Sequence, residues 1–166
     1  MVDIDVIGED AWQVLLDVRL RALRDSPLAL GPTLEREQGF REQHWRMRLR
    51  SSPWFVAHEV GGRDDAAIGL ASVISEPGAA EDDRHVVALW VEPTRRRLGI
   101  GTALVDAAAR AARAGHARTL SLWVAEGNDE ALGLCVGYGF VPTGERHVMA
   151  STPGRAEARY ELPLRA

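Results

Sequence analysis

LWVEPTRRRLGIGTAL, residues 89–104, decides how this 166-residue chain is read. An apolar, strand-like end leads through Pro93 and three arginines, Arg95, Arg96 and Arg97, into Gly99-Ile100-Gly101 and a helix expected from Thr102. At a helix N-terminus the first backbone N–H groups lack intrahelical partners, and the helix dipole adds partial positive charge. A phosphate group suits such a place. Gly99 and Gly101 let an anion approach the backbone closely, while Arg96 and Arg97 can add charge-assisted hydrogen bonds and Thr102 a hydroxyl. A tight turn with solvated arginines would use the same residues. Two better-known phosphate loops do not fit. A Walker loop needs a lysine, and all 20 residues of the Lys and Arg class here are arginine. A dinucleotide fingerprint wants Gly or Ala where Leu104 stands, and PTRRRL separates the glycines from the strand.

Working outward, RHVVALWV (84–91) and TLSLWVA (119–125) read as strands on either side of the alanine-rich helix that stops at Gly115. If neighbours, they are parallel, joined by a right-handed crossover. Upstream, VDIDVI (2–7) alternates like a half-exposed strand, Asp10–Arg24 has helical apolar spacing, SPLALGPT (26–33) is a loop, and Leu34–Arg50 is a charged helix. WFVAHEV (54–60) and AIGLASVI (67–74) form a hairpin around GGRDD, and EPGAAEDD is the next loop. Downstream come a short helix at Asp129–Val136, a strand after GFVPTG and the alternating tail ARYELPL (158–164). The fold class is therefore α/β, a mixed sheet in one domain spanning 1–166.

Composition narrows function. The net charge of −4 gives no general attraction to nucleic acid or an anionic membrane. No stretch of 18 apolar residues occurs, and the first residues carry acids where a secretory signal carries basic ones, so a cytoplasmic protein is expected. One cysteine, Cys135, forms no internal disulfide. No metal ligands are expected.

With these residues in place, LWVEPTRRRLGIGTAL resembles the acyl-CoA-binding segment of the GCN5-related N-acetyltransferase (GNAT) family: a strand ending in Val-x-Pro, then Arg-x-x-Gly-x-Gly, filled by Arg96, Gly99 and Gly101. LSLWVAEGNDEALGLCVGYGF is similar to the family's next strand, asparagine, short helix and Gly-Phe, through Asn128, Ala131, Leu134, Gly139 and Phe140. The resemblance implies a sheet of about seven strands, flanked by about four helices, with splayed central parallel strands. It also implies acetyl-CoA as donor, its pyrophosphate on N–H groups among Arg97, Leu98, Gly99, Ile100, Gly101 and Thr102. Its pantetheine arm would lie along Leu89, Trp90 and Val91, with Asn128 alongside.

Acetyl transfer to an amine requires a neutral amine, a donor for the developing oxyanion and a proton for the leaving thiolate. A backbone N–H around Leu89–Val91 is the family-like oxyanion donor. His85, where some members carry glutamate, is the candidate base, directly or through water, against a strand histidine without a role; Glu126 is a weaker one. For the acid, Cys135 stands where the family usually has tyrosine, and Tyr138 follows three residues later. Cys135 is otherwise a small packing residue, and an acetyl-enzyme on it is disfavoured because no histidine adjoins it in sequence.

The resemblance assigns acceptor choice to the N-terminal helices, SPLALGPT and the loop after Phe140. Trp12, Trp45 and Trp54 read as core or pocket; Glu35, Glu37, Asp82 and Asp83 as solvated acids or a lure for a cation. A small amine, an amino-acid derivative, an aminoglycoside-like antibiotic and a peptide N-terminus remain open as acceptors. A non-enzymatic acyl-CoA-binding sensor is the competing class. Homodimerisation through the C-terminal strands is an expectation from the family.

Overall fold

The apolar/acidic alternation of VDIDVI forms a strand that pairs antiparallel with the hydrophobic run beginning at Trp54. From that edge the sheet is built across the molecule. The computed structural model describes residues 1–26, 34–62, 66–149 and 154–165. Its elements are β1 (Val2–Ile7), α1 (Trp12–Asp25), α2 (Leu34–Gln38), α3 (Glu42–Ser51), β2 (Trp54–Glu59), β3 (Gly69–Ile74), β4 (Asp83–Val91), α4 (Ile100–Ala114), β5 (Thr119–Ala125), α5 (Asp129–Tyr138), β6 (Val141–Val148) and β7 (Ala156–Pro163). They form one seven-stranded sheet in the order β1-β2-β3-β4-β5-β7-β6. Among the described residues, only the β4–β5 pairing is parallel. Of SPLALGPT only Ser26 is described, and residues 63–65 of the expected hairpin turn also lie outside the described residues.

Two expectations need correction. The single helix from Leu34 to Arg50 is two helices, raising the number flanking the sheet from about four to five. The chain is extended at Arg41, and the Arg41 N–H donates to His44 Nδ1 at 3.4 Å as α3 begins. The break turns Glu37 inward, where it is 1% exposed. Arg19 Nε and Nη2 each donate to it at 3.0 Å, and Arg48 Nη1 at 2.6 Å, tying α2 to α1 and α3. Burial pushes this carboxyl up, but the two guanidinium groups outweigh it and hold it below its ordinary value. The second correction is that α4 begins at Ile100 rather than Thr102, with Gly99 as its N-cap.

The sheet separates two apolar layers. Ile100, Leu104, Val105 and Ala108 of α4 pack with Val73, Val86, Leu120 and Leu122 on one face. On the other, Leu15 and Val18 of α1 and Trp45 and Leu49 of α3 pack with Trp54, Val56, Leu70 and Trp90. Beyond β5 the sheet ends in β6, a strand exposed along nearly its whole length.

The parallel pair positions the site. Asp83, Arg84 and His85 pair with Thr119, Leu120 and Ser121, and pairing stops there although β4 continues to Val91 and β5 to Ala125. A bulge accompanies the parting: Leu70 of β3 faces Trp90 and Ser72 faces Val87, so β4 holds one residue more than β3 across this stretch. Ala88 absorbs it with a left-handed backbone, φ 57°. That conformation costs a residue with a Cβ about 1–2 kcal/mol, and a bulge of this kind bends and twists its strand. Beyond His85 one edge of β4 is therefore left open toward α5.

Candidate active site

The open edge of β4 forms one wall of a cavity of about 400 Å³, a size suited to a small-molecule site. Leu89, Trp90 and Val91 lie along that wall. Arg95, Arg96, Arg97 and Gly99 form the approach to α4; Ile100, Gly101 and Thr102 are its first turn; Asn128–Ala131, Gly133 and Leu134 close the side of α5; and Ser26 adds the end of α1. Leu98, expected in the same loop, is 68% exposed and stands outside the lining.

Local backbone explains the cradle. Arg97 and Gly99 both have positive φ, 63° and 82°, which turns the chain sharply into α4. Gly99 has no side chain to cap the helix, so the first N–H groups of α4 face the cavity mouth by the geometry of any helix start. Gly101 is constrained differently: a Cβ there would lie 2.9 Å from Leu134 Cδ2, so the absence of a side chain lets α4 and α5 meet beneath the cavity. The Asn128 side chain accepts from the Ala131 N–H at 3.2 Å, capping α5 at the cavity rim.

A family model described as "Acetyltransferase (GNAT) family" matches residues 19–140, a span that includes the whole cradle. The chain belongs to this acetyltransferase family. No curated protein sequence matches it significantly. Its fold is similar to that of an N-acetyltransferase from Staphylococcus aureus Mu50, with 18% identity, TM-score 0.74 and 99% of each chain covered. It is similar too to the ribosomal-protein-S5-alanine acetyltransferase of Vibrio fischeri (12% identity, TM-score 0.79, 98% of this chain and 93% of that one). A third is yncA of Salmonella typhimurium, solved with acetyl-CoA (15% identity, TM-score 0.75, 100% and 95% covered). The protein is thus an acyltransferase of the GNAT family, whose donor is acetyl-CoA. The cavity fits that donor: a helix start beside arginines suits a pyrophosphate, and an open strand edge suits an extended amide chain.

In this acetyltransferase Arg96 is already engaged. Its Nε donates to the Val91 carbonyl at 3.0 Å, Nη2 to Asp25 Oδ2 at 2.6 Å and Nη1 to Glu130 Oε2 at 3.4 Å. Asp25 also accepts from Trp90 Nε1 at 2.9 Å and from the Ser26 hydroxyl at 2.9 Å. Burial pushes the Asp25 carboxyl up, but the donors from Trp90 and Ser26 and the Arg96 charge outweigh it and keep the carboxyl below its usual value. Asp25 is a site residue that sequence reasoning missed. Nothing in the run RALRD distinguishes it from the other helix-end acids; its partners Trp90 and Arg96 lie 65 and 71 residues away.

The three catalytic candidates do not line the cavity. Cys135 is 2% exposed within the layer beneath α4, and burial pushes its thiol up to about 12. Such a group is a poor proton donor to a thiolate with a reference pKa of about 8.5. The Tyr138 hydroxyl donates to Asp106 of α4, and burial together with that carboxylate raises the phenol to about 12.

His85, 3% exposed, faces away from α4 at the point where β4 and β5 part. Its Nδ1 lies 2.8 Å from Ser121 Oγ, and its Nε2 3.1 Å from Glu76 Oε2. Ser121 Oγ lies 2.7 Å from Asp83 Oδ2. Arg159 of β7 reaches Asp83 Oδ2 and Ser121 Oγ at 2.9 Å each and Glu76 Oε1 at 3.1 Å. Trp123 Nε1 donates to Glu76 Oε2 at 3.1 Å. Burial pushes the imidazole below its ordinary value of 6.5; Arg159 adds to this, and Glu76 and Asp83 oppose it. Glu76 and Arg159 were also missed from sequence: one sits in the loop EPGAAEDD among three other acids, the other in an alternating strand, and only the sheet order brings them together. Glu126, the weaker base candidate, is paired with Arg146 of β6.

Proposed function

We propose that the protein transfers an acetyl group directly from acetyl-CoA to the primary amine of a small molecule or peptide, in the cytoplasm. The parting of β4 from β5 beside the Gly99 helix start carries this reading. It leaves one strand edge to pair with an extended amide chain whose phosphates rest on α4, and it brings the thioester end toward the bulge at Ala88. A backbone N–H around Leu89–Val91 is then the donor for the oxyanion. The N–H groups from Arg97 to Thr102, with Arg97 and a re-aimed Arg96, hold the pyrophosphate; Asn128 fixes the start of α5 against it. Arg96 leaves the Val91 carbonyl as the coenzyme takes that edge. Direct transfer is supported by the burial of Cys135, which removes the candidate thiol from the cavity. The cytoplasmic setting is supported by the same cysteine being free.

The experiment is thiol release from acetyl-CoA across a panel of alkylamines, amino-acid amides, aminoglycosides and peptides. Acceptor-dependent release, with an acetylated amine found by mass spectrometry, supports the reading. Tight acetyl-CoA binding with no release for any acceptor overturns it, and an acetylated Cys135 formed before acceptor addition overturns direct transfer.

A further inference from the structure

Protons can be counted in the group around His85. Glu76, His85, Ser121 and Asp83 make three consecutive contacts, of 3.1, 2.8 and 2.7 Å. Each contact needs one proton between its heavy atoms. Ionised carboxylates, a neutral imidazole and a serine hydroxyl supply two. One contact is short of a proton, and the longest, between His85 Nε2 and Glu76 Oε2, is where the deficit fits. The Ser121 hydroxyl then donates to Asp83, His85 Nδ1–H donates to Ser121, and the Nε2 lone pair faces Glu76. Arg159 and Trp123 both donate to Glu76, offsetting the repulsion between its oxygen and that lone pair.

Access is one-sided. The side chains of His85, Asp83 and Arg159 are 4%, 3% and 7% exposed, whereas that of Glu76 is 25% exposed. The group lies where β4 and β5 separate, on the face opposite α4: Val86 next to His85, and Leu120 and Leu122 on either side of Ser121, all turn toward α4.

We propose that Glu76 is the residue that takes the proton from the acceptor amine, and that His85, Ser121 and Asp83 form a hydrogen-bonded chain that stores it. This rests on the amine-acetylation reading above. The ammonium N–H bond breaks as an O–H bond forms on Glu76; that O–H then breaks as Nε2–H forms, giving an imidazolium held by Glu76 on one side and Ser121 on the other. The neutral amine attacks the thioester carbon; as the C–S bond breaks, the second proton lost by the nitrogen passes through water to the leaving sulfur, so the products are the amide and the coenzyme's free thiol. The stored proton returns to water through the exposed edge of Glu76. Glu76 contacts the acceptor, and His85 is a positioning residue that sets the proton affinity of Glu76. The charged and titratable groups facing this chain are Arg159 and, 4.0 Å from it, Glu161 on β7, and His147 on β6, tilted against the Trp123 ring and bonded to Glu157. Burial of His85 favours the proton-deficient resting state.

The test has two arms. In the full-length protein labelled with ¹⁵N-histidine, the chain requires a neutral His85 carrying its proton on Nδ1 at pH 7. Glu76→Gln shifts its titration to lower pH, because the charge favouring imidazolium is gone. A proton on Nε2 at pH 7, or a titration unmoved by Glu76→Gln, overturns the chain whatever the enzyme acetylates. In the second arm, kcat/KM is compared for an alkylamine that supports release and for methoxyamine, which is neutral at pH 7. Glu76→Gln should lower the alkylamine value roughly 100-fold or more while changing that for methoxyamine less than threefold, with acetyl-CoA affinity unchanged. Equal losses for both amines would make Glu76 a structural residue and overturn its role. Release with no amine by the unsubstituted enzyme would instead overturn the acetylation reading, and with it the catalytic role of Glu76, while the tautomer still decides the chain.

Discussion

Replacing Gly99 by aspartate sets a negative charge at the helix start proposed to hold the pyrophosphate. The site has room for it: nothing lies within 4 Å of where a Cβ would be, so no packing is lost. Two effects then act. The backbone there has φ 82°, which costs most residues about 1–2 kcal/mol and asparagine or aspartate less. The carboxylate also lies on the order of 5 Å from a phosphate oxygen held by the α4 N–H groups. At an effective dielectric of about 20, two unit charges at that separation repel by about 3 kcal/mol, or roughly 100-fold in affinity. Asparagine has nearly the same shape and tolerance of this backbone, so comparing Gly99→Asp with Gly99→Asn isolates the charge. Calorimetric titration with acetyl-CoA should give a Kd roughly 100-fold weaker for aspartate than for asparagine, with matched melting temperatures and a gap that narrows in high salt. Equal affinity in the two variants would refute the placement of the pyrophosphate at this helix start.

Glu37→Ala leaves two guanidinium groups without their buried partner and should cost about 3–5 kcal/mol in denaturant unfolding. Since the folded carboxyl lies below its ordinary value of 4.5, its contribution is complete above that pH and fades as pH falls through the folded value. An acid-unfolding midpoint identical in Glu37→Gln would contradict this. Native Cys135, its thiol pushed up to about 12, should react with iodoacetamide at pH 8 roughly a thousandfold more slowly than in the unfolded chain; comparable rates would mean it is accessible. Tyr138→Phe should leave kcat within threefold, because the hydroxyl is turned to Asp106; a tenfold loss would restore it as the proton donor.

Local patterns carried the elements well where periodicity and punctuation agreed, as in β1, the hairpin strands and α4. They failed at Leu34–Arg50 because a charged helix shows little apolar period, and the inward turn of Glu37 depends on Arg19 and Arg48, on other helices. The glycine turn into α4 was legible because two glycines at fixed spacing before an alanine-rich run mark a helix start. The bulge was not, since alanine gives no hint of a positive φ at position 88. His85 was legible as a titratable strand residue. Its partners were hidden because β7 enters between β5 and β6, and chain order does not announce such an insertion.

That insertion sets an order of assembly during synthesis. Every described residue lining the cavity precedes residue 135, so its sequence has been made well before β7 emerges. Until Arg159 docks beside β5, Asp83 and Glu76 lack the guanidinium that joins them. A chain stalled short of β7 would hold every described residue of the cavity lining while lacking the cation that joins Glu76, Asp83 and Ser121 on the other face of the sheet.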